Sequence, residues 1–111
     1  MTNERFDQIL TARLIKIKNI LGTKAGEYSS ADDRLHNFKV AARISGKTPI
    51  QALDGMLLKH EVCYRDLVSG KKPTKEYIDE KIGDFINYLI LAEALLIENI
   101  EGQSNDIAIH P

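Results

Sequence analysis

The sequence predicts an all-α, four-helix bundle-like domain, and three observations carry that prediction. Apolar residues recur three and four apart over long stretches. Each stretch is bounded by a capping residue and by glycine or proline. No run of useful length alternates apolar with polar as a half-buried strand would. Asn-Gly and Asp-Gly turns before a β-like run are absent, since Asp54-Gly55 falls within a helical pattern. There is no internal repeat.

The first helix spans about Glu4 to Leu21, where Phe6, Ile9, Leu10, Leu14, Ile17 and Leu21 mark one face. Thr2 or Asn3 caps it and Gly22 ends it. The loop "GTKAGEYSS" follows. Ser29 or Ser30 then caps a second helix from about Ala31 to Ile44, with Asp32 and Asp33 in the first turn, where the dipole favours anions. Leu35, Phe38, Ala42 and Ile44 are its inward residues. In "SGKTPI", Thr48 is a cap and Pro49 a first helical residue, where its missing N–H costs nothing. That third helix reaches Val68, with Leu53, Leu57, Tyr64 and Leu67 along one side, and Gly70 stops it. Thr74 caps the fourth, from Lys75 to about Glu101, and Gly102 ends it. Residues 1–102 thus form a single helical domain, and 103–111 an irregular C-terminal tail without periodicity.

A chain of 111 residues, 43% apolar and 28% charged, reads as one soluble globular domain. With 6% aromatics and no Trp it lacks the makings of a base-stacking surface. The net charge of −1 conceals an asymmetry: residues 1–72 carry 13 Lys+Arg against 8 Asp+Glu, and residues 73–111 carry 2 against 8. The two parts, at +5 and −6, can pair with each other or with another copy. Neither has the basic density of a nucleic-acid binder, so no nucleic acid is expected. Cys63 is alone, which excludes an internal disulfide and a Cys-based zinc site. The start has no signal-peptide layout. The apolar run from Tyr88 to Ile97 is broken by Glu93 and too short to span a bilayer. The expectation is a cytoplasmic protein with no membrane partner.

Three clusters carry chemistry. On the fourth helix Glu76, Glu80, Asp84, Asn87 and Tyr88 share a face. Stacked acids repel unless a cation lies among them. A hard cation takes one or two carboxylates together with waters and substrate phosphates. The plainer reading is a solvated face favoured by the helix dipole, which explains Glu76 but not Asp84, nearly three turns in. Lys81 is a candidate basic partner for Asp84. The second cluster, "KAGEYSSADDRLHNF", gathers Lys24, Glu27, Asp32, Asp33, Arg34, His36 and Asn37; capping accounts for the two aspartates, but not for Glu27 or Asn37. The third, "LLKHEVCYRD", sets His60 and Tyr64 one turn apart beside Lys59 and Cys63. There His60 is either a satisfied core histidine or a binding residue, and a Cys63–His60 nucleophilic pair lacks an electropositive setting. "GTKAG" has no GK[ST] ending and no preceding strand, so it is not a phosphate loop.

Taken in order, these pieces resemble a known group. They are Lys24, Glu27 and Tyr28; Asn37 and Phe38; Lys59 and His60; then Glu76, Glu80, Asp84, Asn87 and Tyr88. The pattern is similar to the MazG-like, nucleotide-modification-associated phage branch of the all-α NTP pyrophosphatase superfamily, from about Lys24 to Leu96. The resemblance implies a four-helix core whose acids hold Mg2+, with Mn2+ as a substitute, and clamp a nucleoside triphosphate for hydrolysis to monophosphate and pyrophosphate. It implies Glu27, Glu80 and Asp84 as metal ligands, with Asp33, Glu80 and Asp84 as the catalytic set and Asp33 as an alternative ligand or base. Lys24, Arg34, Asn37, Lys59, His60, Asn87 and Tyr88 would bind nucleotide. It also implies a homo-oligomer, dimer or tetramer, in the host cytoplasm if phage-encoded. One departure stands out: MazG-like enzymes carry E-E-x-x-E before the last acidic helix, and here only Glu27 with Asp32 or Asp33 occupies that region. Two other functions follow from the same residues: a non-catalytic protein that sequesters a nucleotide or serves a modification enzyme, and a structural helical oligomer.

Overall fold

The computed structural model describes residues 1–22, 33–71 and 73–109, the last seven by backbone alone. It contains four α-helices: α1 (Asn3–Leu21), α2 (His36–Ser45), α3 (Pro49–Val68) and α4 (Lys75–Ile109). The described residues include no strand. The all-α, four-helix architecture is as the spacing predicts.

Capping chemistry sets most of the boundaries. Thr2 accepts the Arg5 N–H at 3.0 Å, and the Gly22 N–H closes α1 on the Lys18 carbonyl at 2.8 Å. Thr48 and Gln51 form a reciprocal capping box, with Pro49 opening α3 behind it. Thr74 accepts from the Tyr77 N–H at 3.1 Å and starts α4. Gly46 ends α2 in the left-handed region, at φ 68°, and the Lys47 N–H returns to the Ala42 carbonyl. That geometry leaves no comfortable place for a side chain.

Two boundaries differ from expectation. α2 begins at His36 rather than near Ala31, because the Asp33 carboxylate takes the Leu35 N–H at 2.9 Å and holds a turn there instead of a helical first turn. The proposed caps Ser29 and Ser30 lie outside the described residues. Gly102 does not end α4, nor is 103–111 an irregular tail as a whole: the helix continues to Ile109. A single glycine within a helix costs only about 1 kcal/mol against alanine, too little to stop a long helix.

The core forms where α2 and α3 meet the middle of α4. Leu35, Phe38, Leu53 and Leu95 make its centre, with Ile50, Leu57, Tyr88 and Leu91 packed around them. Leu53 is the most enclosed, at 1% exposure. Ile44, expected to face inward, is 82% exposed because it sits at the far end of a helix only ten residues long. Tyr88 joins two helices to its own: its ring stands edge-on to Phe38, centroids 6.4 Å apart, and lies 4.7 Å from the His60 ring.

α1 is different. It has no buried residue, and its apolar face remains largely open, with Phe6 57% and Leu14 53% exposed. Charge pins it to α4. Arg13 donates to the Asp79 carboxylate at 2.6 Å and to the Asp79 carbonyl at 3.0 Å, and Lys16 pairs with the same carboxylate. Gly83 makes the crossing feasible, since a Cβ there would run into the Arg13 guanidinium. With Lys39–Glu98, these pairs join the basic first part of the chain to its acidic end. The radius of gyration is 17.1 Å, against about 13 Å for a compact domain of this length. The cause is α4, whose 35 residues extend about 53 Å.

Candidate nucleotide and metal site

Three rows of side chains run along α4, one residue out of step with each other, and each repeats at intervals of four and three. Phe85, Tyr88, Ala92 and Leu95 face α2 and α3, with Lys81 one turn before them in the same row. Glu80, Asp84, Asn87, Leu91, Ala94 and Glu98 lie to one side of them, and Ile82, Ile86, Leu89, Glu93, Leu96 and Ile100 to the other. This arrangement explains how a helix apolar over most of its circumference carries two carboxylates: they begin a separate row.

The later part of that row looks into a cleft. Leu91, Ala94 and Glu98 wall a hollow of about 400 Å³, closed opposite by Leu21 at the end of α1 and by Asp33, Arg34 and Leu35 before α2. Helical register places Asn87, Asp84 and Glu80 on the same face one, two and three turns further toward the start of α4. Asn87 is 6% exposed, and its Oδ1 has no hydrogen-bond partner among the described residues. Across the core row, His60 is 7% exposed and its Nε2 is likewise without a partner there. Buried polar atoms in this condition are uncommon in folded proteins and call for an explanation.

The two acids differ in setting. Glu80 is exposed, with Lys81 Nζ 3.5 Å from its carboxylate. The Glu80 charge holds the Lys81 ammonium above its ordinary range, against an opposing effect of desolvation. Lys81, the candidate partner of Asp84, is therefore engaged with Glu80. Asp84 is half-buried and makes no ion pair among the described residues. Among those residues no three His, Cys, Asp or Glu side chains gather as a metal cage. Two carboxylates one turn apart match what Mg2+ takes from protein when phosphates and water complete its shell.

The remaining candidates divide into two places. His60 lies against Tyr88 at the middle of α4, with Asn87 on the other side of Tyr88's row and Lys59 exposed beside His60. Asp33 and Arg34 stand at the other end. Lys39 bridges Asp33 at 2.7 Å and Glu98 at 2.6 Å, and the Arg34 guanidinium donates to the Leu21 carbonyl at 2.5 Å. The hydrogen bond from Lys39, then that from the Leu35 N–H, holds the Asp33 carboxyl below its ordinary value, while its two carboxylate partners hold Lys39 above its own. Glu98 lies fourteen residues beyond Asp84, about 21 Å along the axis. Within one chain the structure thus does not bring Asp33 to Glu80 and Asp84; a capping and ion-pairing role occupies it. Asn37 is exposed on α2. Lys24 and Glu27, with Tyr28 and Asp32, lie outside the described residues.

Asp79, Lys39 and Gly83 position these groups and are not evident from the spacing. Asp79 falls between the acids that share a stripe, and the only sign of its role is Arg13 and Lys16 three apart on α1. A glycine in mid-helix is the one visible hint of a close crossing. Among the described residues, no helix is long and apolar enough to cross a membrane. No family model, curated protein or solved structure matches this chain.

Proposed function

We propose that this chain is a Mg2+-dependent nucleoside triphosphate pyrophosphohydrolase of the MazG-like phage type, acting as a homo-oligomer in the cytoplasm. The observation that carries the reading is the cleft row of α4. Asp84, free of ion pairs among the described residues, and buried Asn87, with an unused acceptor, share the helix face of Leu91, Ala94 and Glu98, which further along α4 line a hollow together with Asp33 and Arg34. Glu80 and Asp84 would hold the metal, with Glu27 as a third ligand. Bound Mg2+ would polarise the phosphoryl group and help to generate the attacking water. Asn87 and His60 would orient the nucleotide through their unpaired atoms, Tyr88 would offer its ring, and Lys24, Arg34, Asn37 and Lys59 would meet phosphate and sugar. The open apolar faces of α1 and α4 support the oligomer.

One observation favours a second reading, a protein that binds nucleotide without turning it over. Asp33, a member of the expected catalytic set, is paired with Lys39, whose other partner Glu98 lies about 21 Å beyond Asp84 and about 27 Å beyond Glu80 along α4. The test is direct. The protein is incubated with canonical and modified nucleoside triphosphates and Mg2+, while pyrophosphate release and binding are measured in parallel. Turnover is the result expected. Binding without turnover selects the sequestering protein, and neither result would leave only a structural oligomer.

A further inference from the structure

We propose that the hollow where α1 crosses the start of α4 binds a small organic anion, with a phosphate or carboxylate head on a compact apolar body. The hollow measures about 550 Å³, and none of Glu80, Asp84 and Asn87 lines it. Asp79, on its wall, stands five residues before Asp84 and so about 140° round α4 from it. The site is therefore separate from the cleft row.

Charge points to an anion. Four cations, Arg5, Arg13, Lys16 and Lys75, line the hollow against two acids, Glu76 and Asp79, a balance of +2. The whole chain, by contrast, carries −1. Asp79 is already shared by Arg13 and Lys16. Arg5 and Lys75 make no ion pair among the described residues, and Glu76 stands in the first turn of α4, where the helix dipole favours an acid.

An unspent donor edge points the same way. Arg13 gives both of its hydrogen bonds from Nη2, and to Asp79 alone. Its Nη1 and Nε have no acceptor among the described residues, although the side chain is only 18% exposed. A guanidinium offers its N–H donors in a rigid fork that matches phosphate and carboxylate. The start of α4 adds to this. Thr74 takes the Tyr77 and Ile78 N–H groups, which leaves those of Lys75 and Glu76 unpartnered among the described residues, at the positive end of the helix dipole. The rest of the lining asks for an apolar body. Ile9 and Ile78 face the hollow from the two helices, each 42% exposed, and Ala12 extends that surface. An alkyl or aryl group covers it, whereas inorganic phosphate leaves it in water.

The site takes nothing from the nucleotide chemistry proposed above, and its test leaves Mg2+ out. Benzyl phosphate and benzoate are titrated into the full chain by calorimetry in EDTA, beside inorganic phosphate and benzyl alcohol as head and body alone. At least one of the two aromatic anions is expected to bind about tenfold more tightly than either part, because joining head to body makes the second contact intramolecular. The tighter of the two identifies the head. Arg5→Met together with Lys75→Met should weaken that binding about tenfold, and Glu76→Gln should tighten it about two- to fivefold, in low salt. Neither change touches the Arg13–Asp79 pair, and effects of opposite sign from exposed side chains do not come from a common loss of fold. Glu80→Gln together with Asp84→Asn should leave the affinity unchanged. No binding of either anion at millimolar concentration would overturn the site. So would binding that ignores Arg5, Lys75 and Glu76, or binding that is lost with Glu80 and Asp84, which would place the ligand in the cleft.

Discussion

Replacing Asn87 by leucine keeps roughly the shape of the side chain and removes an amide that is 6% exposed, with an acceptor lacking a described partner. An unsatisfied buried polar group costs about 1–3 kcal/mol, and an apolar group of the same shape avoids that cost. Leucine also has the better helix propensity, by a few tenths of a kcal/mol. The ligand-free variant should therefore be more stable by about 1–2 kcal/mol, raising the melting temperature by about 4 °C or more. The effect on ligand binding should be opposite. A nucleotide at a hundred times its dissociation constant adds about 2.7 kcal/mol to a protein it binds only when folded. Loss of the Asn87 acceptor should take away much of that gain. Thermal and urea unfolding, each with and without nucleotide and Mg2+, read both effects on one sample. If the acceptor serves the fold instead, leucine will destabilise the free protein by about 1–3 kcal/mol. That result, with the nucleotide-induced shift unchanged, would refute the assignment of Asn87 to the site.

Asp84→Asn should leave the fold intact and, through lost repulsion with Glu80, neutral or more stable by a few tenths of a kcal/mol. Pyrophosphate release should fall by orders of magnitude, mainly in kcat, and wild-type turnover in a folded variant would exclude Asp84 as an essential ligand. Leu53→Ala, at the centre of the core and 1% exposed, should cost about 3–5 kcal/mol in urea unfolding; a loss below about 1 kcal/mol would mean that α3 is not seated as described. Asp33 is held below its ordinary value of 3.8 first by Lys39 and then by the Leu35 N–H. Its contribution to stability is therefore complete above that ordinary value and is lost as pH falls through the lower folded value. Lys39→Met should flatten this acid limb in urea midpoints taken from about pH 5 to about pH 2.5. A limb of unchanged depth would show that the pair contributes nothing.

Local chemistry makes much of the fold legible in the residues themselves. Thr2, Thr48 with Gln51, Pro49, Thr74 and Gly46 act within one turn of themselves, so their residue types alone announce where helices begin and end. Periodicity does the same for the helical class and for Phe38, Ala42 and Leu53 as buried residues. Where a competing local bond exists, the same reasoning fails. The Asp33 carboxylate has the position of a first-turn anion of α2, yet it holds a turn ahead of that helix. Gly102 has the residue type of a stop, although a long helix absorbs one glycine.

What the sequence determined by itself was therefore the class, the helices and the row of acids along α4, because each depends on spacing along one helix. Tertiary structure alone decided which groups meet. It tied Asp33 to Lys39 and Glu98, carried Arg13 across Gly83 to Asp79, and set His60 against Tyr88. These partners stand between 6 and 66 positions apart, and no periodicity extends across the turns between them. Only the packing angles of α1, α2 and α3 on α4 choose among the many carboxylates and cations that the charge asymmetry offers. The same packing leaves a third row of α4 outside the core. An apolar face has the same spacing whether a second helix of its own chain or a second copy of the chain covers it.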